Sequence, residues 1–251
     1  FEEEAKAMGE LVVGKECKSL LHIYSLRENS KHIGRPLSEE VKSAKVAVVG
    51  SGAMGESIAL AALGSGNQVM VFESNTQVRH RLQYSLEQAM LKKFGFQGSV
   101  LEDAKQRLSV SDKLSSLAAA DIVIETVNDD PEVKKNVFAE IAASVRRDAI
   151  IASNTAVLAL SDFVRSIDNP GRVIGMHFFH PLSRINLVEI VRAKKTSTKA
   201  LVYASAFASH LGKFPIIVED RPGFVVNRLM GAYFAEALFL LSEGYSVTSI
   251  D

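Results

Sequence analysis

Two rhythms of hydrophobic and polar positions run along this chain. The first is a short apolar run rich in β-branched residues, seen at 46–49, 68–72, 121–125 and 149–153. Runs this brief are too short for helices and read as buried strands. Two more strands are expected over 173–179 and 187–191, and 215–218 reads as an edge strand because Pro215 cannot donate to a central ladder. The second rhythm is helical spacing between those strands. Met54, Ile58, Ala59, Ala61, Ala62 and Leu63 form one such stretch, which stops at Gly64 and Gly66. Further helices are expected over 76–94, 101–107, 131–146, 198–211 and 224–243. Asn75 or Thr76 caps the first of these, and Pro131 sits where a first helical turn tolerates it. Ahead of the first strand, Phe1, Ala5, Met8, Leu11, Val12, Leu20, Leu21 and Tyr24 predict one or two amphipathic helices broken near Gly14. Residues 30–43, with Gly34 and Pro36, read as a linker.

Strands alternating with helices predict an α/β fold with a parallel, doubly wound sheet and irregular or antiparallel strands at its far edge. Ligands on such sheets lie outside the carboxyl ends of the strands, so chemistry is expected just after Val49, Ile124, Ile151 and Met176.

The first of those ends is the most informative. Gly50, Ser51, Gly52, Ala53, Met54 and Gly55 give G-x-G-x-x-G between a strand and a helix. Gly50 lets the chain turn sharply, Gly52 leaves room for a pyrophosphate, and Gly55 lets the helix pack closely on the strand. The free N–H groups of the helix N-terminus then face the phosphates. Glu73 ends the second strand, where a carboxylate accepts both hydroxyls of a ribose and repels a 2′-phosphate. The expected cofactor is therefore NAD, in a Rossmann-type domain.

Composition narrows the partners. The 251 residues carry 29 basic and 29 acidic side chains, so no surface charge marks a nucleic-acid or membrane partner. The single cysteine, Cys17, excludes an internal disulfide framework and fits a reducing compartment. No apolar run is long enough to span a bilayer, and no His, Cys, Asp or Glu cluster has metal-ligand spacing. A start at Phe1 rather than Met implies a piece of a longer protein.

The other strand ends deliver residues 125–130, then Ser153, Asn154 and Thr155, then His177. If the strands around 177 and 189 form an antiparallel hairpin, His177 and Glu189 face each other as cross-strand neighbours. A carboxylate beside imidazole fixes its tautomer and raises its basicity. A nicotinamide enzyme needs such a base, because hydride leaves a carbinol carbon only as the hydroxyl proton departs. His180, beside Pro181, falls in the loop, while His22, His32, His80 and His210 read as surface or linker residues. By pattern alone Lys134 and Lys135 read as a solvated helix face.

Five segments together resemble the L-3-hydroxyacyl-coenzyme A dehydrogenases of fatty-acid β-oxidation: GSGAMGESIA, IETVNDDPEVKK, ASNTA, GMHFFHP with LVEIV, and DRPGFVVNRL. Their order and spacing match over 45–229, and the N-terminal segment resembles the helical connector of multifunctional β-oxidation enzymes. The resemblance implies a connector and linker over 1–43, a Rossmann-type domain over 44–220 and the start of a helical dimerisation and substrate domain over 221–251. It implies His177 as general base, Glu189 as its orienting partner and Asn227 near the reacting oxygen. Glu73 takes the adenine ribose, and Asp129, Lys134, Asn154 and His180 lie on the cofactor's path. Ser85, Lys92 and Ala156 fall where the family contacts the acyl-CoA. A homodimer of the complete protein, in peroxisome, mitochondrial matrix or bacterial cytoplasm, is also implied, with an apolar helix face at Phe224, Leu229, Phe234, Leu238 and Leu241 short of cover.

Three positions depart from the family pattern. Ala156 stands where the family has a serine that touches substrate and cofactor, His180 where it often has asparagine, and Asp129 where it has glutamate. Two alternatives therefore stand beside the dehydrogenase. One is a catalytically weakened protein of the same fold that binds NAD or acyl-CoA. The other is a β-hydroxyacid dehydrogenase, against which the His177–Glu189 pair argues, since those enzymes commonly use a catalytic lysine.

Overall fold

A computed structural model of the chain describes residues 2–93, 98–164 and 167–251. Phe1 and the expected helix end at 94 lie outside the described residues. In chain order the elements begin with helices α1 (Glu2–Val13) and α2 (Lys15–His32), a 3₁₀ turn (Arg35–Leu37) and α3 (Ser38–Lys42). The sheet then starts with β1 (Lys45–Val49), α4 (Ala53–Gly64), β2 (Gln68–Phe72), α5 (Thr76–Lys93), α6 (Ser99–Gln106) and β3 (Leu108–Ser111). Next come β4 (Ile122–Glu125), α7 (Pro131–Ser144), β5 (Ile150–Ser153), β6 (Val173–Phe178) and β7 (Leu187–Arg192). The chain closes with α8 (Thr198–His210), β8 (Phe214–Glu219), α9 (Val226–Ser242) and α10 (Val247–Ile250).

Among the described residues eight strands form one sheet in the order β3-β2-β1-β4-β5-β6-β7-β8. Every neighbouring pair is parallel except β6 with β7, whose antiparallel register sets His177 opposite Glu189. The doubly wound sheet expected from the strand–helix alternation is therefore present, with its one reversal near the far edge. Strands β4 and β5 are buried on both faces, which is why they read as unbroken apolar runs. On one face α4, α5 and α8 cover Val46, Val48, Ile124 and Met176. On the other, α7 and the 3₁₀ segments place Phe138, Leu160 and Phe163 over Ala47, Val123 and Ile151.

Three expectations need correction. Residues 30–43 are not a linker: α2 continues to His32, and the 3₁₀ turn and α3 pack against α8. Val41 is fully buried, and the Asn67 amide nitrogen donates to the carbonyls of Val41 (2.9 Å) and Ala44 (3.1 Å). Gly34 and Pro36 mark the tight approach of a docked turn, where a Cβ on Gly34 would lie 2.5 Å from the Ala206 backbone. The edge strand β3 was not expected, because the four residues LSVS are too short and polar to stand out. Phe224 does not begin the last helix: it sits at φ 47°, buried, and α9 starts at Val226. Along α9, Leu229, Phe234, Leu238 and Leu241 are exposed, whereas Phe224 is covered. Among the described residues no helix is long and apolar enough to cross a membrane.

Candidate active site

The glycine loop connects β1 to α4 at the carboxyl end of the sheet. Gly50 has φ 102°, which an L side chain resists, and a Cβ on Gly55 would lie 2.1 Å from the Gly50 carbonyl. Those two glycines are required by the turn and by the helix–strand approach. Around Gly52 the space is open, since a Cβ there meets nothing within 4 Å. This is the cradle a pyrophosphate needs, at the start of a twelve-residue helix.

Glu73 stands beside the loop. Its Oε2 accepts from the Ser51 hydroxyl and its Oε1 from the Asn75 amide at 2.8 Å. A ribose diol in this position meets a carboxylate already aimed by two donors. Asn75 Oδ1 accepts from Gln77 and Val78 and so caps α5. Arg79 donates to the Glu73 carbonyl and pairs with Asp112 at 3.0 Å, so its charge is not available to a 2′-phosphate. A cleft of about 230 Å³ opens next to Glu73, walled by Val49, Phe72, Leu114, Val127 and Val137, which suits a flat heteroaromatic ring.

A buried ion pair lies under the second strand end. Lys134, on α7, is fully buried with Glu125, the last residue of β4, and its Nζ lies 2.7 and 2.9 Å from the two Glu125 oxygens. The same ammonium reaches Asp129 at 3.2 Å and the Val127 carbonyl at 3.2 Å. The Ser153 hydroxyl donates to Glu125 at 2.7 Å. The solvated-face reading of Lys134 is thus corrected, while Lys135 is half exposed beside Glu132. Asp129 also accepts from the Ala156 amide at 2.9 Å, and the Ala156 carbonyl accepts from the Asn227 amide nitrogen at 2.8 Å. Both sides of the Ala156 main chain are therefore fixed. Asn154 Oδ1 accepts from the Phe178 amide at 2.9 Å, which ties the end of β5 to the end of β6.

The third group contains the histidine. His177 Nδ1 lies 2.7 Å from Glu189 Oε2, with both residues buried. The other Glu189 oxygen accepts from the amides of Val225 and Val226, each at 2.9 Å, at the N-terminus of α9. Burial alone raises the Glu189 carboxyl, but the hydrogen bonds from His177, Val226 and Val225 outweigh it and hold the group below its ordinary value. Phe179 and Phe224 flank the imidazole with ring centroids at 4.3 and 5.7 Å. With Nδ1 committed to the carboxylate, Nε2 is the nitrogen left for a proton from elsewhere.

The remaining sequence candidates lie further out. His180 is exposed and lines a separate cavity of about 450 Å³ against Ser57 and Ala61 of α4, not the His177–Glu189 pair. Ser85 donates to Glu56 at 3.2 Å, bridging α5 to α4, and Lys92 is exposed near the end of α5. His22, His32 and His80 are exposed, but His210 is corrected: it is half buried on α8, and its Nε2 has no hydrogen-bond partner. Sequence reasoning brought Glu125 and Ser153 to the strand ends without giving them a role, named Phe224 only for an apolar helix face, and missed Phe179. The acid closing DIVIE was the available signal for Glu125. Asp220 was also missed; its two oxygens accept from the Leu160 (2.7 Å) and Ser161 (3.0 Å) amides. Among the described residues no group of three or more His, Cys, Asp or Glu side chains could hold a metal ion.

Residues 45–221 match the family described as 3-hydroxyacyl-CoA dehydrogenase, NAD binding domain. The fold is similar to that of FadB2 from M. tuberculosis, at 34% identity over 83% of this chain and 76% of that one, with a TM-score of 0.75. It is also similar to the (S)-3-hydroxybutyryl-CoA dehydrogenase PaaH1 from Ralstonia eutropha, at 32% identity over 83% and 75%, with a TM-score of 0.79. A third similar structure is the dehydrogenase part of multifunctional enzyme 1 from C. elegans, at 28% identity over 83% of this chain and 49% of that one, with a TM-score of 0.65.

Proposed function

We propose that this chain, which belongs to the 3-hydroxyacyl-CoA dehydrogenase family and is an NAD-dependent oxidoreductase, oxidises an (S)-3-hydroxyacyl-CoA to its 3-keto thioester in fatty-acid β-oxidation, with His177 as the base. The observation that carries the reading is the 2.7 Å contact between His177 Nδ1 and Glu189 Oε2 in a buried site. Glu189 holds the imidazole in the tautomer whose Nε2 accepts, and its charge stabilises the cation formed when the substrate hydroxyl gives up its proton. NAD, when bound, would supply the hydride acceptor for carbon 3 of the substrate. Gly50, Ser51, Gly52, Ala53, Met54 and Gly55 would cradle its phosphates, and Glu73 would take its adenosine ribose. Asp129, Lys134 and Asn154 line the way toward His177. Phe179 and Phe224 exclude water from the imidazole, which strengthens its pairing with Glu189. Asn227, held against Ala156, positions the substrate near its reacting oxygen. Ser85 and Lys92 serve the CoA portion, and His180 acts from the edge of the cofactor site. A second copy of the chain covering the exposed apolar side chains of α9 belongs to the same proposal.

Ala156 favours one second reading, a weakened protein that binds without turning over. Loss of one positioned donor at a developing oxyanion costs on the order of a hundredfold in rate. The test follows acetoacetyl-CoA-dependent NADH oxidation in three proteins. The unaltered protein should turn over, and His177→Gln should lose at least about a hundredfold in kcat while keeping NADH affinity. Ala156→Ser should raise kcat more than it changes NADH binding, because the added hydroxyl acts as charge develops. Unchanged turnover in His177→Gln removes that residue from the mechanism. Intact NADH binding without activity in the unaltered protein and in Ala156→Ser decides for the binding module.

A further inference from the structure

A run of contacts leads from the buried Lys134 to Asn227 and joins four parts of the fold. It starts on α7 with Lys134 and passes through Asp129, in the loop after β4. It continues through Ala156, in the loop after β5, and ends on Asn227 in the first turn of α9. Each step is a hydrogen bond or ion pair of 3.2 Å or less.

Asp129 is the anomaly in this run. Lys134 already has a counter-ion, because Glu125 takes its ammonium with both oxygens, at 2.7 and 2.9 Å, in a fully buried pair. That pair is charge-balanced without a second carboxylate. Asp129 nevertheless lies 3.2 Å from the same ammonium, with its side chain 31% exposed. Capping α7 is not its task either. Asp130 does that, accepting from the Glu132 and Val133 amides at 3.0 and 2.9 Å. What Asp129 holds is the neighbouring loop. While its Oδ1 faces Lys134, its Oδ2 accepts from the Ala156 amide at 2.9 Å.

Ala156 passes the constraint on. Its carbonyl accepts from Asn227 Nδ2 at 2.8 Å. A carboxamide can turn by half a revolution and exchange its oxygen for its nitrogen, so this carbonyl selects the end of Asn227 that faces the loop after β5. The oxygen and the second N–H of Asn227 have no partner among the described residues. They are the groups left for a substrate. The rest of the loop hangs on the same ammonium. Ser153 Oγ donates to Glu125 at 2.7 Å and accepts from the Thr155 amide at 3.2 Å. An alanine at 156 adds no side-chain hydrogen bond of its own, so its main-chain contacts set where the residue sits.

We propose that Asp129 is a positioning residue on the substrate side: clamped by Lys134, it fixes the Ala156 main chain and, through it, the orientation of Asn227. The proposal rests on the dehydrogenase reading for the substrate that Asn227 receives. A charged acceptor binds an amide about twice as strongly as a neutral one, and the buried ammonium keeps that acceptor in one place. Removing Asp129 therefore leaves the Lys134–Glu125 pair standing and frees the loop that aims Asn227. A residue that met only the cofactor would show itself in NADH affinity. One that acts through Asn227 shows itself in the acyl-CoA KM, and it falls silent once Asn227 is gone.

The experiment compares the unaltered chain with Asp129→Ala, Asn227→Ala and the double variant. It follows acetoacetyl-CoA reduction by NADH, NADH affinity by fluorescence, and the Asn227 side-chain amide by NMR. Asp129→Ala should raise the KM for acetoacetyl-CoA about tenfold, with a smaller change in kcat, and keep NADH affinity within about twofold. In the Asn227→Ala background the same substitution should change KM by less than about twofold, because the relay has nothing left to act on. Asp129→Glu, which keeps the charge and the acceptor, should hold KM within about threefold of the unaltered value. Equal factors in the two backgrounds, or weaker NADH binding with an unchanged KM, overturn the proposal. The amide signal is read without substrate. It should shift in Asp129→Ala and return in Asp129→Glu, and an unmoved signal overturns the relay even in a protein that does not turn over. Absent turnover in the unaltered chain counts against the dehydrogenase reading alone. If Asp129→Ala does not fold, Asp129→Asn carries the same comparisons, since it keeps the side chain's shape and removes its charge.

Discussion

Lys134 and Lys135 are adjacent on α7 and indistinguishable by pattern, yet one is fully buried and the other half exposed. The difference comes from what lies beneath the helix: β4 ends in Glu125, and its carboxylate needs a cation once water is excluded. No local rule reports that, because the partner arrives through sheet packing from nine positions away. Lys134→Met removes the cation that offsets the burial of Glu125, whose carboxyl is already pushed up by that burial, and should cost about 3–5 kcal/mol in urea unfolding. Lys135→Met should stay within about 0.5 kcal/mol. Adding Glu125→Gln to Lys134→Met should recover part of the loss, since the orphaned charge is then gone. His210 taught the opposite lesson. It has no partner pattern, but absence of a pattern does not make a residue exposed, and α8 carries it half into the interior. His177 with Glu189 was legible because cross-strand pairing is local arithmetic once the hairpin is assumed.

At the scale of elements, strands buried on both faces were legible because they leave unbroken apolar runs, and α4 was legible because glycines bracket it. The segment from Ser30 to Ser43 was not. Gly and Pro mark a turn whether it floats or docks, and only the partner surface on α8 separates the cases. Gly34→Ala checks that this turn is docked. A Cβ would meet the Ala206 main chain at 2.5 Å, and a helix backbone cannot yield as a side-chain tip does. The substitution should lower stability by about 1–3 kcal/mol in urea unfolding, while Gly9→Ala, with nothing within 4 Å, should not. An unaffected Gly34→Ala protein would mean that the turn stands off α8. The edge strand β3 escaped for a different reason. LSVS has too few apolar positions to show a period, and its strand character comes from pairing with β2.

At the scale of the molecule, sheet polarity gathers the candidate site. Parallel strands put the glycine loop, Glu73, Glu125, Asn154 and His177 at one end of the sheet. The parallel, doubly wound character of the central strands followed from helix alternation, but the docking of α2 on β8 did not. That contact rests on the α2–β8 packing and on Arg27 lying 4.1 Å over the Phe214 ring, a pairing of residues far apart in sequence. The proposed role of Glu73 in favouring NAD over NADP also belongs to this scale, because Glu73 is flanked by Arg79, whose charge Asp112 already holds. NADPH should bind at least about tenfold more weakly than NADH by fluorescence titration, and Glu73→Ala should weaken NADH by about 1–3 kcal/mol. Equal affinities for the two cofactors would remove Glu73 from the ribose site. The two amides that open α9 end on the same carboxylate that orients His177. Whatever is carried by α9 thus pulls on the proposed catalytic pair through a single side chain. On that proposal, a chain whose last long helix is badly seated loses its oriented base while the sheet is still intact, so activity fails before the fold does.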